Sequence, residues 1–144
     1  RLDEALLLLP NPLPVDSAIY DVAASLYFMS EEYALCKETL ENKIQLNKLD
    51  PEGPDLSEDQ KFMLAESRFK TADFRGAEKL FLEFKADSKL YDQSLYRLAE
   101  MERMQGNEKK TLILFEKIVE TGNSSRWKEY AERELQYAKS AARL

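Results

Sequence analysis

The chain repeats itself at an interval of 34 residues, and this repeat limits the folds that are open to it. When the sequence is shifted by 34 positions, Ala65 aligns with Ala99 and Phe81 aligns with Phe115. Two amphipathic helices joined by a tight turn fit into about 34 residues. Because one such hairpin cannot bury its own apolar face, consecutive copies have to stack on each other. The repeat therefore predicts an all-α stack of helical hairpins.

An earlier copy appears at a shift of 41 residues, which aligns Ala24 with Ala65 and Leu40 with Phe81. The extra residues fall in a Pro- and Gly-containing segment that stops helices. The sequence thus predicts a single domain with six consecutive parts. These are a remnant of a preceding repeat with a Pro-rich link (1–16), repeat 1 (17–49), a loop (50–56), repeat 2 (57–87), repeat 3 (88–122) and a terminal capping helix (123–144).

Residues that begin and end helices agree with this register. Ser57 and Gln60 have the spacing of a capping box, and Ser88 is a predicted N-cap. Gly106 is expected in the turn between the two helices of repeat 3. The predicted helices lie near 2–9, 17–30, 32–48, 57–71, 74–86, 89–105, 108–121 and 125–142.

The composition argues against two classes of partner. The formal net charge is −6, and Lys and Arg do not cluster with aromatic residues. Nucleic acid is therefore not an expected partner, because phosphate neutralisation needs a local positive surface. No apolar stretch approaches the ~20 residues of a membrane-spanning helix, so no membrane span is predicted.

Catalytic chemistry is also not indicated. The chain has no histidine, one cysteine and four scattered glycines, which leaves no catalytic triad, imidazole ligand or phosphate-binding loop. Cys36 aligns with Ala77 of the next copy, and we interpret it as a buried residue rather than a nucleophile. The sequence therefore predicts a protein that is not an enzyme, with no catalytic residues, no metal site and no cofactor.

The small and aromatic residues of these copies resemble the tetratricopeptide family. The family has a small residue in the first helix, and an Ala and an aromatic residue four apart in the second. Here Ala99 fits the first helix, and Ala77 with Phe81 and Thr111 with Phe115 fit the second, while the terminal Pro is missing. The resemblance implies a right-handed α-solenoid of antiparallel helix hairpins, a TPR-like superhelix.

A looser similarity concerns the cellular setting. Residues 94–100 and 126–131 are similar to repeats from bacterial cell-envelope proteins. This similarity favours a periplasmic or cell-envelope location over a cytoplasmic one.

The resemblance also implies a function. In tetratricopeptide stacks the first helices line a concave groove, so we expect a non-catalytic scaffold or adaptor that binds a protein or peptide partner, in a bacterial envelope or secretion assembly. The groove residues expected from the register are Phe28, Met29, Phe62, Glu66, Phe69, Lys70, Tyr96, Arg97, Glu100 and Arg103. The alternative is a structural spacer or homo-oligomerisation module of a larger protein, because the apolar run 6–9 needs covering.

Overall fold

Every regular element in the described part of the chain is an α-helix. The computed structural model describes residues 1–11, 13, 17–50 and 55–143, without the side chains of Ser17 and Ser125. The helices are α1 (Leu2–Leu7), α2 (Ser17–Met29), α3 (Tyr33–Leu49), α4 (Glu58–Lys70), α5 (Phe74–Phe81), α6 (Tyr91–Met104), α7 (Glu108–Thr121) and α8 (Ser125–Ala142). The all-α prediction is confirmed for these residues, and none of their helices is long and apolar enough to cross a membrane.

The end of α5 differs from the prediction. This helix ends at Phe81 and not near residue 86, and Ser88 does not begin a helix directly. The carbonyl oxygen of Ala86 accepts a hydrogen bond from Asn123 Nδ2 at 2.7 Å, and Ser88 Oγ accepts one from the Leu90 backbone at 3.2 Å. These bonds hold the connecting segment in turns, so α6 begins only at residue 91.

The turns between paired helices repeat with the register of the sequence. Glu31, Ala72 and Gly106 each adopt a positive φ, of 59°, 65° and 80°. After each of them, the next backbone N–H donates to a carbonyl five residues earlier, at 2.8, 2.8 and 2.9 Å. This pattern is the Schellman type of helix end, in which a left-handed residue closes the last turn. The three positions are separated by the same 41 and 34 residues as the aligned copies.

The chain divides into two compact units, unit 1 (Arg1–Leu80) and unit 2 (Phe81–Leu144). Within unit 1, α3 packs against both α2 and α4, α2 also touches α4, and α1 lies on α2. Within unit 2, α7 packs against both α6 and α8, and α6 touches α8. The same three-helix arrangement therefore occurs in both units. A continuous right-handed solenoid and a single domain stay predictions.

Small residues of the repeat are fully buried in each unit. Ala24 and Ala65 in unit 1, and Ala99 and Ala131 in unit 2, have no exposed surface. A larger side chain at these positions would push the helices apart, because protein interiors are close-packed. The positions that align between the copies of the repeat are therefore part of the buried core of their own unit.

A buried polar network joins three helices of unit 1. Lys43 on α3 is 2% exposed, and its Nζ donates to Asp21 Oδ1 on α2 at 2.6 Å and to Gln60 Oε1 on α4 at 3.1 Å. Gln60 Oε1 also accepts from the Ser57 backbone at 3.1 Å, and Ser57 Oγ accepts from the Gln60 backbone at 3.2 Å. The predicted capping box is thus present. Because a buried ammonium is costly without partners, the network favours one alignment of α2, α3 and α4.

Candidate functional site

An aromatic cluster forms where α6 meets α8 in unit 2. The ring of Tyr96 lies 4.8 Å from that of Trp127 and 5.0 Å from that of Tyr130, measured between centroids. Stacked and edge-to-face aromatic pairs of this kind add stability beyond the area they bury. Tyr96, expected in a partner-binding groove, is therefore half-buried beneath α8.

Polar contacts along α6 engage two more of the expected groove residues. Glu100 accepts hydrogen bonds from the Tyr96 hydroxyl and from Arg97, and the Arg97 guanidinium lies 5.8 Å from the centre of the Tyr96 ring. Burial, followed by the hydrogen bond to Glu100, raises the pKa of Tyr96 well above its usual value. The phenol therefore stays protonated and acts as a donor. Tyr96, Arg97 and Glu100 thus use their polar groups to contact one another along α6.

Arg103 connects α6 to α8 near the end of the unit. Its Nη2 donates to Glu134 Oε2 at 2.8 Å, and its guanidinium lies 5.3 Å from the centre of the Phe115 ring. The hydrogen bond to Glu134 raises the pKa of Arg103, so the side chain stays charged. The Arg103 side chain is still 41% exposed, which leaves it accessible from solvent.

A groove opens beside this ion pair, between the end of α6, the start of α7 and the last part of α8. Its volume is about 710 Å³. We call it the seam groove, and it is lined by Arg103, Glu108, Leu112, Glu134, Tyr137, Ala138, Ala141 and Ala142. Tyr137 is 76% exposed, which is the highest exposure of any aromatic residue in the described part of the chain. The groove thus combines an apolar floor with charged residues at its edge.

Small residues give the seam groove a shape that suits a helix. Ala138, Ala141 and Ala142 are spaced so that they share one side of α8. Elsewhere in unit 2, alanines such as Ala99 and Ala131 are fully buried. At the seam groove Ala141 and Ala142 remain exposed, so another helix could approach α8 closely there.

In unit 1, two of the expected groove residues are not at the surface. Phe62 and Glu66, both on α4, are each 7% exposed. Phe69 is half-buried, with its ring 5.6 Å from that of Phe74. These three side chains serve the packing of α4 in this structure and offer little surface to a partner.

The remaining residues of unit 1 lie near the ends of α2 and α4. Phe28 packs edge-to-face on Tyr33 at 5.8 Å, and Lys70 Nζ lies 6.0 Å from the centre of the same Tyr33 ring. Met29 is 63% exposed. Tyr33 therefore brings Phe28 and Lys70 together, although it was not among the residues expected at the site.

Comparison with known proteins gives no relative: the chain matches no family model, no curated protein and no solved structure. The tetratricopeptide resemblance therefore rests on the residues alone, and the function has to be argued from the geometry of each unit.

Groups suited to catalysis or metal binding do not converge in the described residues. Within 1–11, 13, 17–50 and 55–143, no three His, Cys, Asp or Glu side chains are arranged to hold a metal ion. Cys36 has no exposed surface, and its burial raises the pKa of the thiol. A buried neutral thiol is a poor nucleophile, since the thiolate is the reactive form.

Burial of Cys36 leads to a direct chemical test. We expect iodoacetamide to alkylate this thiol at least ~100-fold more slowly in the folded chain than in urea, because reaction requires local opening. Mass spectrometry over time measures the rate, and Cys36→Ser serves as the blank. Fast alkylation of the folded chain would contradict the buried, structural role.

Of the ten groove residues expected from the sequence, Arg103 alone lines the seam groove, because the register assigned binding to the first helices alone. The one available signal was the run of small residues near the end of α8, which includes Ala138 and Ala141. A helix that ends in exposed alanines has a face without bulky side chains, and such a face fits a second helix.

Proposed function

We propose that this chain is a non-catalytic protein-interaction module that holds a helical segment of a partner protein in the seam groove of unit 2. The observation that carries the proposal is a groove of about 710 Å³ with an exposed Tyr137 beside small residues of α8. Amphipathic helices bind in apolar grooves through side chains at helical spacing. The proposed setting, an assembly of the bacterial envelope, rests only on the resemblance of residues 94–100 and 126–131.

Tyr137 is the proposed anchor of the interface. A tyrosine is enriched among the residues that dominate binding energy, since it offers a large rigid ring and a polar tip. At the edge of the groove, Glu108 is exposed while Arg103 and Glu134 already pair with each other. The uncompensated charge at this edge is therefore negative, and it favours a partner helix with a basic residue near that end.

Removing the anchor should weaken binding strongly. We expect Tyr137→Ala to lower the affinity for a helical ligand at least ~10-fold, which corresponds to about 1.4 kcal/mol. The ligand would be selected from a display library of amphipathic helical peptides and measured by isothermal titration calorimetry. Ile113→Ala is the matched control, because Ile113 is 52% exposed on α7 and does not line the groove.

A second variant tests the groove by filling it. Ala141→Arg adds a long side chain at an exposed position and should block the selected peptides without unfolding α8. Circular dichroism checks that helix content is retained. Selected peptides that bind Tyr137→Ala and Ala141→Arg as tightly as the original chain would place the site elsewhere and reject the proposal.

A further inference from the structure

Four charged side chains and one glutamine form a stripe along α8, on the side of the helix opposite the seam groove. Its members, which we call the charge stripe, are Glu129, Glu132, Gln136, Lys139 and Arg143. Their spacing of three and four residues places them on one face of the helix. All five are exposed. The sign of the charge reverses at Gln136, with two acids before it and two bases after it.

The charged side chains of the stripe are not paired with one another or with other residues in the described part of the chain. Within the described residues, none of its four charged side chains forms an ion pair. Glu129, Glu132, Gln136 and Lys139 of the stripe line an open groove of about 600 Å³ together with Arg133, and Val119 of α7 and Leu135 of α8 supply apolar surface in it. A partner for this face therefore needs the opposite order of charges along its length and some apolar contact.

We propose that the partner is a second copy of this chain, whose α8 lies antiparallel to the first across a two-fold axis near Gln136. Such an interface uses the same patch on both copies and has to be self-complementary. An antiparallel pairing sets Glu129 opposite Arg143 of the second copy, and Glu132 opposite Lys139 of the second copy. Glu129 and Arg143 are 14 residues apart, or about 21 Å of helix, so both ends engage together.

The antiparallel direction follows from the order of charges. A parallel pair of stripes would place acid against acid and base against base, and like charges brought together are unfavourable. Because the paired side chains are exposed, the dimer should be weak and sensitive to salt. This inference does not depend on the proposed function, since the charge stripe and the seam groove have different residues.

The order of charges along the stripe also suits α8 on its own, without a second copy. Acidic residues early in a helix and basic residues late in it interact favourably with the helix dipole. Changing these residues would then affect α8 alone and not association. The decisive experiment therefore uses two variants with opposite charge changes. Each variant alone has an unfavourable interaction with the dipole of α8, but the two altered stripes carry opposite charges and can pair with each other.

The first variant is Glu129→Lys with Glu132→Lys, and the second is Lys139→Glu with Arg143→Glu. Each is measured in the full chain by sedimentation equilibrium at low salt. We expect each variant alone to self-associate at least ~10-fold more weakly than the original chain, and the 1:1 mixture to regain dimers. Raising the salt from about 0.05 M to about 0.5 M should dissociate the original dimer.

A matched control separates the stripe from overall charge. Glu78→Lys with Glu83→Lys makes the same charge change as the first variant at exposed positions that are not part of α8, and it should leave association unchanged. An original chain that stays monomeric at low salt up to ~1 mM would overturn the proposal. A 1:1 mixture that fails to associate would also overturn it, because the stripe would then act on the helix alone.

Discussion

Replacing Phe115 by Ala is expected to destabilise unit 2 by about 3–5 kcal/mol, the usual cost of removing a fully buried ring. Phe115 has no exposed surface, and its ring centre lies 6.3 Å from that of Tyr130 on α8. The Arg103 guanidinium lies over the same ring at 5.3 Å. This loss is a large fraction of the total free energy of unfolding, because whole domains are stable by only about 5–15 kcal/mol.

Trp127 provides the measurement for this variant. It is the only tryptophan of the chain, it belongs to unit 2, and its ring lies 4.8 Å from that of Tyr96. Urea unfolding followed by its fluorescence should show a clearly lower midpoint for Phe115→Ala. Phe115→Leu should lose less, because it keeps most of the volume. An unchanged midpoint in the Ala variant would show that this ring is not part of the core.

The helices and their buried contact positions were predictable from the sequence, since both depend on local spacing. Ala65 and Ala99 align at 34 residues, and both are fully buried. Ser57 and Gln60 form a capping box because the motif involves only residues three apart. Features set by contacts within one helix or between adjacent helices are therefore visible in the repeat.

Features set by distant contacts were not predictable. The end of α5 has no Gly or Pro to mark it, and the structure there depends on Asn123, which follows Ala86 by 37 residues. Glu31 and Ala72 were not predictable for a different, local reason: they adopt a left-handed conformation that is favoured at Gly and Asn. The backbone tolerates them because the surrounding helix end fixes the turn.

The residues expected in a partner-binding groove illustrate the same limit. Helical spacing places Phe62 and Met29 on faces of their own helices, but it does not show which neighbouring segments cover those faces. In the structure Phe62 is 7% exposed whereas Met29 is 63% exposed. Periodicity alone therefore identifies candidate faces in this chain, while the burial of each face depends on which neighbouring segments pack against it.

Replacing Asp92 by Ala is expected to destabilise the start of α8 by about 3 kcal/mol. Asp92, on α6, is 1% exposed, and its Oδ2 accepts hydrogen bonds from the backbone N–H groups of Asn123 and Ser124, both at 2.9 Å. Among the described residues, Ser124 gives α8 no side-chain cap of its own. The variant would remove two hydrogen bonds from part-buried backbone donors to a charged acceptor, each contributing about 1.5–3 kcal/mol, and would remove a carboxylate from a helix N-terminus.

This variant should loosen the first turns of α8 more than it destabilises the rest of unit 2. We expect faster hydrogen exchange in the first two turns of α8 and a change in Trp127 fluorescence, because loss of the cap frees this helix end from α6. Asp92→Asn retains one acceptor oxygen and should lose less than half as much stability. Unchanged exchange in Asp92→Ala would contradict the capping role. Since α8 carries both the seam groove and the charge stripe, weakening its attachment through Asp92 should reduce peptide binding and self-association together, whereas Tyr137→Ala should reduce peptide binding alone.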